Sequence, residues 1–64
     1  MNLGDKIKLI RKTIRMSQRE FSKELRCSQP LISAYELGTK KPSYDLLVAL
    51  GEVAKKYKVK VKLL

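Results

Sequence analysis

Apolar residues return at Leu3, Ile7, Ile10 and Ile14, a spacing that draws one stripe down a helix over about residues 3–15, with Leu9 off that stripe. The pattern then restarts. Ser17 stands three residues ahead of Glu20, the spacing at which serine and glutamate side chains cap each other's backbone N–H groups. Phe21 and Leu25 share one face of the helix that follows, and Met16, just ahead of the cap, is placed to pack on Phe21. This helix is expected to stop near Leu25–Arg26. Ser28 opens a third helix with Pro30 in its first turn, where a missing N–H costs no helical bond. Ile32 and Tyr35 form its buried stripe, and Gly38 stands where a helix ends in a left-handed residue. Thr39-Lys40-Lys41-Pro42 reads as a basic loop. Ser43 caps a fourth helix, with Asp45 in its first turn, and Leu46, Leu47, Leu50, Val53, Ala54 and Tyr57 keep the helical period. Gly51 interrupts this helix at a cost of about 1 kcal/mol against alanine, which either close approach of another helix or simple drift would explain.

Beyond Tyr57 the period changes to two. Tyr57, Val59, Val61 and Leu63 alternate with Lys58, Lys60 and Lys62, the signature of a half-buried strand. One strand in a helical chain has no ladder partner, so the expected partner is the same strand of a second copy. Tyr57, Val59, Val61 and Leu63 would then cover a dimer core, with the lysines discouraging further strand addition. The bland alternative is a disordered basic tail. The division that follows is a helical domain over residues 1–56 and a dimerisation strand over 57–64.

Charge narrows the choice of partner. Fifteen Lys and Arg against six Asp and Glu give +9, an excess that calls for a polyanion, either nucleic acid or an anionic membrane face. Sixty-four residues suffice for one small domain, marginal alone and helped by dimerisation. With no histidine, one cysteine and no glycine-rich phosphate loop, neither a metal site nor a Cys/His nucleophile is expected, and the chain does not read as an enzyme or as a carrier of a cofactor. The lone Cys27 fits a reducing compartment, and no long apolar run or signal-peptide pattern is seen, so the expectation is a cytoplasmic protein without a membrane partner.

Residues 17–38 thus combine two short, serine-opened helices and a tight turn. Gln18 opens the motif; Phe21, Leu25, Ile32 and Tyr35 are its apolar positions; Ser22 is the small residue where two helices cross. Ile32-Ser33, Glu36, Gly38, Thr39-Lys40-Lys41 and Pro42-Ser43 follow at fixed spacing. Over about residues 3–56 this resembles the lambda Cro/CI-type (XRE-like) helix-turn-helix family. It departs from the family at Arg26, where glycine is usual, and at the alternating tail, which replaces a fifth helix. The resemblance implies a mainly α, four-helix Cro/CI-type (lambda repressor-like) domain, here with a short C-terminal β-strand.

The resemblance also implies roles. The third helix would lie in the major groove with Gln29, Pro30, Leu31, Ser33 and Ala34 at or near base edges. Gln29 suits bidentate pairing with adenine, Leu31 and Ala34 suit thymine methyls, and Pro30 is there chiefly to start the helix. Gln18, Arg19, Lys23, Thr39, Lys40, Lys41, Ser43 and Tyr44 are candidates for phosphate contacts, the loop residues foremost, while Tyr44 is equally suited to packing. Arg11 and Glu36 would form a partly buried ion pair tying the first helix to the end of the third. Cys27 would be a packing residue in the turn. The function implied is that of a sequence-specific, dimeric DNA-binding transcriptional regulator, a repressor of a palindromic operator, whose partners are double-stranded DNA and a second copy. The alternative is an antitoxin that represses its own operon and binds a protein toxin. A basic peptide for membrane surfaces or nonspecific RNA accounts poorly for the capped helices.

Overall fold

A computed structural model describes residues 2–61 and 63 as four helices: α1 (Leu3–Thr13), α2 (Gln18–Glu24), α3 (Gln29–Leu37) and α4 (Tyr44–Lys56). The start of each helix follows from its cap. Asn2 accepts the Asp5 N–H at 2.8 Å and opens α1. At α2 the box is reciprocal: Glu20 N–H donates to Ser17 Oγ at 3.1 Å, and Ser17 N–H donates to Glu20 Oε1 at 2.9 Å. Ser43 Oγ accepts the Leu46 N–H at 3.2 Å and opens α4. Ser28 occupies the cap position of α3 without a side-chain bond, leaving Pro30 and the fixed backbone to start that helix.

All four helices end in the same way. One residue at each end is left-handed, the one after the cap in α1, α2 and α4 and the cap itself in α3: Arg15 (φ 58°), Arg26 (φ 56°), Lys58 (φ 58°) and Gly38 (φ 79°). In each case the following N–H reaches back across the last turn, Met16 to Arg11 O at 3.1 Å, Cys27 to Ser22 O at 2.9 Å, Thr39 to Ala34 O at 3.0 Å and Val59 to Ala54 O at 2.7 Å. This is the Schellman closure. Three of the four stops use a cation rather than glycine, at about 1 kcal/mol of backbone cost each, partly offset by a positive charge at the negative end of a helix dipole. Met16, Cys27 and Val59 pack against the core after the turn, the apolar contact that accompanies such closures.

The core gathers Ile7 and Ile10 of α1, Phe21 of α2, Leu25, Ile32 and Tyr35 around α3, and Leu46, Leu50, Val53 and Ala54 of α4. The α3 helix packs against both α1 and α2. Gly4 is buried where α1 crosses the end of α3. Ser22 is buried too, its hydroxyl donating to Arg19 O at 2.7 Å, so the small residue at the crossing also satisfies its own polar atom.

Two expectations need correction. Gly51 has no helix against it: an added Cβ would meet nothing within 4 Å. The alternating tail forms no strand among the described residues. A lone chain offers no ladder partner, and left-handed Lys58 interrupts the extended run and turns the chain back. Val59, Val61 and Leu63 are half-buried and pack on the core of their own chain, while Tyr57 closes α4, half open, with Lys56 Nζ 5.3 Å from its ring centre. Lys62 lies outside the described residues.

Candidate nucleic-acid interface

With Ile32 and Tyr35 buried, the helical period puts Pro30, Ser33, Ala34 and Leu37 on the opposite face of α3. Gln29 and Pro30 are exposed at the start of the helix, Ser33 and Ala34 are half-buried, and Leu37 is 76% exposed at its end. Leu31 stands at the margin of this face, partly packed against the core in a groove that Cys27 and Leu46 also line. Leu37 was missed in the sequence because it ends the motif next to Gly38; its place two turns after Pro30 was the available signal.

The cations stand on either side. Arg19 and Lys23 are exposed on α2, and Thr39, Lys40 and Lys41 are exposed in the loop after α3. Among the described residues none of these four cations is in an ion pair. Thr39 is held by its hydroxyl, which donates to Ala34 O at 3.3 Å. Ser43 is engaged in capping α4, and Tyr44 beside it is 71% exposed rather than packed.

Beneath this surface a polar cluster ties three helices. Arg11 Nε donates to Glu36 Oε2 at 2.6 Å and Arg11 Nη2 to Glu36 Oε1 at 3.1 Å, a two-pronged ion pair between α1 and α3. Arg11 Nη1 donates to Met16 O at 3.0 Å, and Gln18 Nε2 to Glu36 Oε1 at 3.2 Å. Gln18 is therefore half-buried and bound to the ion pair, which fixes the first residue of α2 against the end of α3. Burial works to raise the Glu36 pKa, but the hydrogen bonds from Arg11 and Gln18, with the charges of Arg11 and Lys8, outweigh it and leave the carboxyl below its ordinary value. The Arg11 pKa is raised by the same hydrogen bond.

Cys27 is half-buried in the turn, and burial pushes its thiol pKa up, which keeps it a poor nucleophile. No group of metal-ligating side chains is assembled among the described residues, and no helix there is long and apolar enough to cross a membrane. What the surface can do is bind a polyanion: an exposed amide and small side chains on one helix, flanked by unpaired cations.

A family model described as helix-turn-helix matches residues 7–61. No curated protein and no solved structure matches the chain.

Proposed function

The chain belongs to the Cro/CI-type helix-turn-helix family of DNA-binding transcriptional regulators, and from this premise we propose that it is a dimeric repressor of a palindromic operator. The observation that carries the reading is the face of α3: Gln29 exposed at its first residue, small Ser33 and Ala34 a turn on, and unpaired cations to either side.

In this reading α3 lies in the major groove with Gln29 bonded to an adenine edge and Ser33 to a neighbouring acceptor or donor. Pro30 keeps the start of the helix rigid, while Ala34, with Leu31 at the margin, meets thymine methyls. Few of these groups form hydrogen bonds, so the shape of the DNA supplies much of the discrimination. Arg19, Lys23, Lys40 and Lys41 neutralise phosphates, and Thr39, Ser43 and Tyr44 line the same strand of backbone. Gln18 turns a backbone contact into an alignment device, because Glu36 holds it in place. Two copies with recognition helices about 34 Å apart cover successive major grooves on one side of the duplex, and occupancy of a promoter blocks transcription.

The test is selection of bound duplexes from a random pool at physiological salt. An enriched palindrome with half-sites about 10 base pairs apart supports the reading. Tight binding without enrichment overturns sequence-specific repression.

A further inference from the structure

The end of α4 and the tail carry charge that the chain does not balance. Lys56 is paired with Glu24 at 3.0 Å, but Lys55, Lys58 and Lys60 are exposed and in no ion pair among the described residues. Lys55 stands at the negative end of the α4 dipole, and Lys58 makes the left-handed stop. Lys60 has neither task. The cations placed on DNA above, Arg19, Lys23, Lys40 and Lys41, belong to α2 and to the loop before α4. Lys55 lies about 16 Å along α4 from Tyr44, farther than charges act on one another through physiological salt.

These three lysines surround an apolar hollow. An open groove of about 460 Å³ is floored by Gly51, Ala54, Val59 and Val61 and rimmed by Lys55, Lys58 and Lys60, with no acidic residue in its lining. The fold builds it. Left-handed Lys58 turns the chain back, and the Val59 N–H donates to Ala54 O at 2.7 Å, which brings the tail against the flank of α4. At Gly51 the helix backbone is bare, since an added Cβ would meet nothing within 4 Å. Val48, 43% exposed, stands one turn earlier and carries the apolar surface past the glycine.

Shape and charge together choose among anionic partners. A DNA backbone has the charge but no apolar side chains to set on Val48, Val59 and Val61. A small anionic molecule needs most of its surface enclosed, and this groove is open. A protein helix with acids on either side of an apolar ridge supplies both, and the bare backbone at Gly51 lets it come close.

We propose that this groove is the docking site for an acidic amphipathic helix of another protein. Its apolar ridge lies on Val48, Val59 and Val61, and its carboxylates meet Lys55, Lys58 and Lys60, whose stems extend the apolar contact. The surface is separate from the DNA-facing side of α3, so the site stands whether or not the chain represses an operator. A regulator built this way holds DNA and an acidic protein at once.

Fluorescence anisotropy with the full chain tests it, using a labelled synthetic helix of leucine, alanine and glutamate with the leucines on one face. A peptide of the same composition in scrambled order keeps the charge and loses the ridge. The amphipathic peptide is expected to bind at least roughly tenfold more tightly than the scrambled one. Lys55→Glu with Lys60→Glu weakens it at least roughly tenfold, whereas Lys40→Glu with Lys41→Glu, the same change in net charge, costs less than about threefold. All four lysines are exposed, and circular dichroism checks that both variants keep the fold. Equal binding of the two peptides, equal losses in the two variants, or no binding at all overturns the site. A loss of random-duplex affinity as large for Lys55→Glu with Lys60→Glu as for Lys40→Glu with Lys41→Glu also overturns it, and gives these lysines to DNA. Phosphatidylglycerol vesicles that bind through Lys55 and Lys60 more tightly than the peptide overturn it in favour of a membrane surface.

Discussion

A Cβ on Gly4 would stand 2.7 Å from the Tyr35 carbonyl oxygen, and 2.8 Å from that of Glu36. The first turn of α1 therefore meets the last turn of α3 backbone to backbone, and the atoms in the way are main chain, which cannot swing aside as a side chain can. Gly4→Ala would ordinarily favour a helix. Here it is expected to destabilise the fold by about 2 kcal/mol, the cost of overpacking less the propensity gained, and to lower the melting temperature by roughly 10 °C. Thermal unfolding checks this. A melting temperature equal to or above wild type would show that α1 does not depend on this contact.

Glu36 links stability to pH. Its folded pKa lies below the ordinary carboxylate value, so the stabilisation it gives is present above that value and is lost as pH falls through the lower, folded one. Acid should therefore loosen the junction of α1, α2 and α3. Glu36→Gln keeps the shape but leaves the Arg11 guanidinium, whose side chain is only 13% exposed, with a neutral partner. The expected loss is about 2–3 kcal/mol at neutral pH, shrinking in acid. Urea titrations at neutral and acid pH measure both numbers; an equal loss at the two would detach Glu36 from the acid sensitivity.

These two contacts also mark how far the chain could be read without its fold. The helix starts at Ser17 and Ser43 and the stop at Gly38 were legible because capping is decided within a few residues of the cap. The exposed, basic surroundings of Gln29 were legible from spacing alone. Gly4 was not, since its meaning lies in Tyr35 and Glu36, far along the chain. Gly51 left two readings open for the converse reason: a glycine in a helix suggests a neighbour or mere drift, and its own chain supplies no neighbour. Of the four tail residues expected to cover a dimer core, Val59, Val61 and Leu63 pack on the core of their own chain and Tyr57 is exposed; a period of two cannot say whether a sheet exists to receive them.

Gln29 and Lys40 should separate in their effects on DNA. If Gln29 reads a base as proposed, Gln29→Ala is expected to weaken the selected operator by about 1–3 kcal/mol while sparing random duplex. Lys40→Ala should weaken both alike and reduce the slope of log affinity against log salt by about one. Fluorescence anisotropy across a salt series distinguishes the two. Equal losses on operator and random DNA for Gln29→Ala would make it a backbone residue.

Arg26 is exposed and left-handed at the corner between α2 and α3, and is in no ion pair among the described residues. Arg26→Gly should relieve the backbone and stabilise the protein by about 0.5–1 kcal/mol, net of the freedom glycine adds to the unfolded chain. Melting curves provide the measurement, and a fall in stability would mean that the arginine charge at the end of α2 outweighs its strain.

The four Schellman stops carry a consequence for how the molecule comes together. Each is closed by hydrogen bonds between residues at most five apart, as at Cys27 and Ser22, so every corner can be decided before distant parts of the chain have met. What remains is docking, carried by Arg11 with Glu36 and by Gly4 with Tyr35. A chain with so much of its architecture settled nearby pays little loop-closure entropy, and it is expected to fold in microseconds to milliseconds, as small helical proteins do. The expected slow step is then the arrival of α1 on α3.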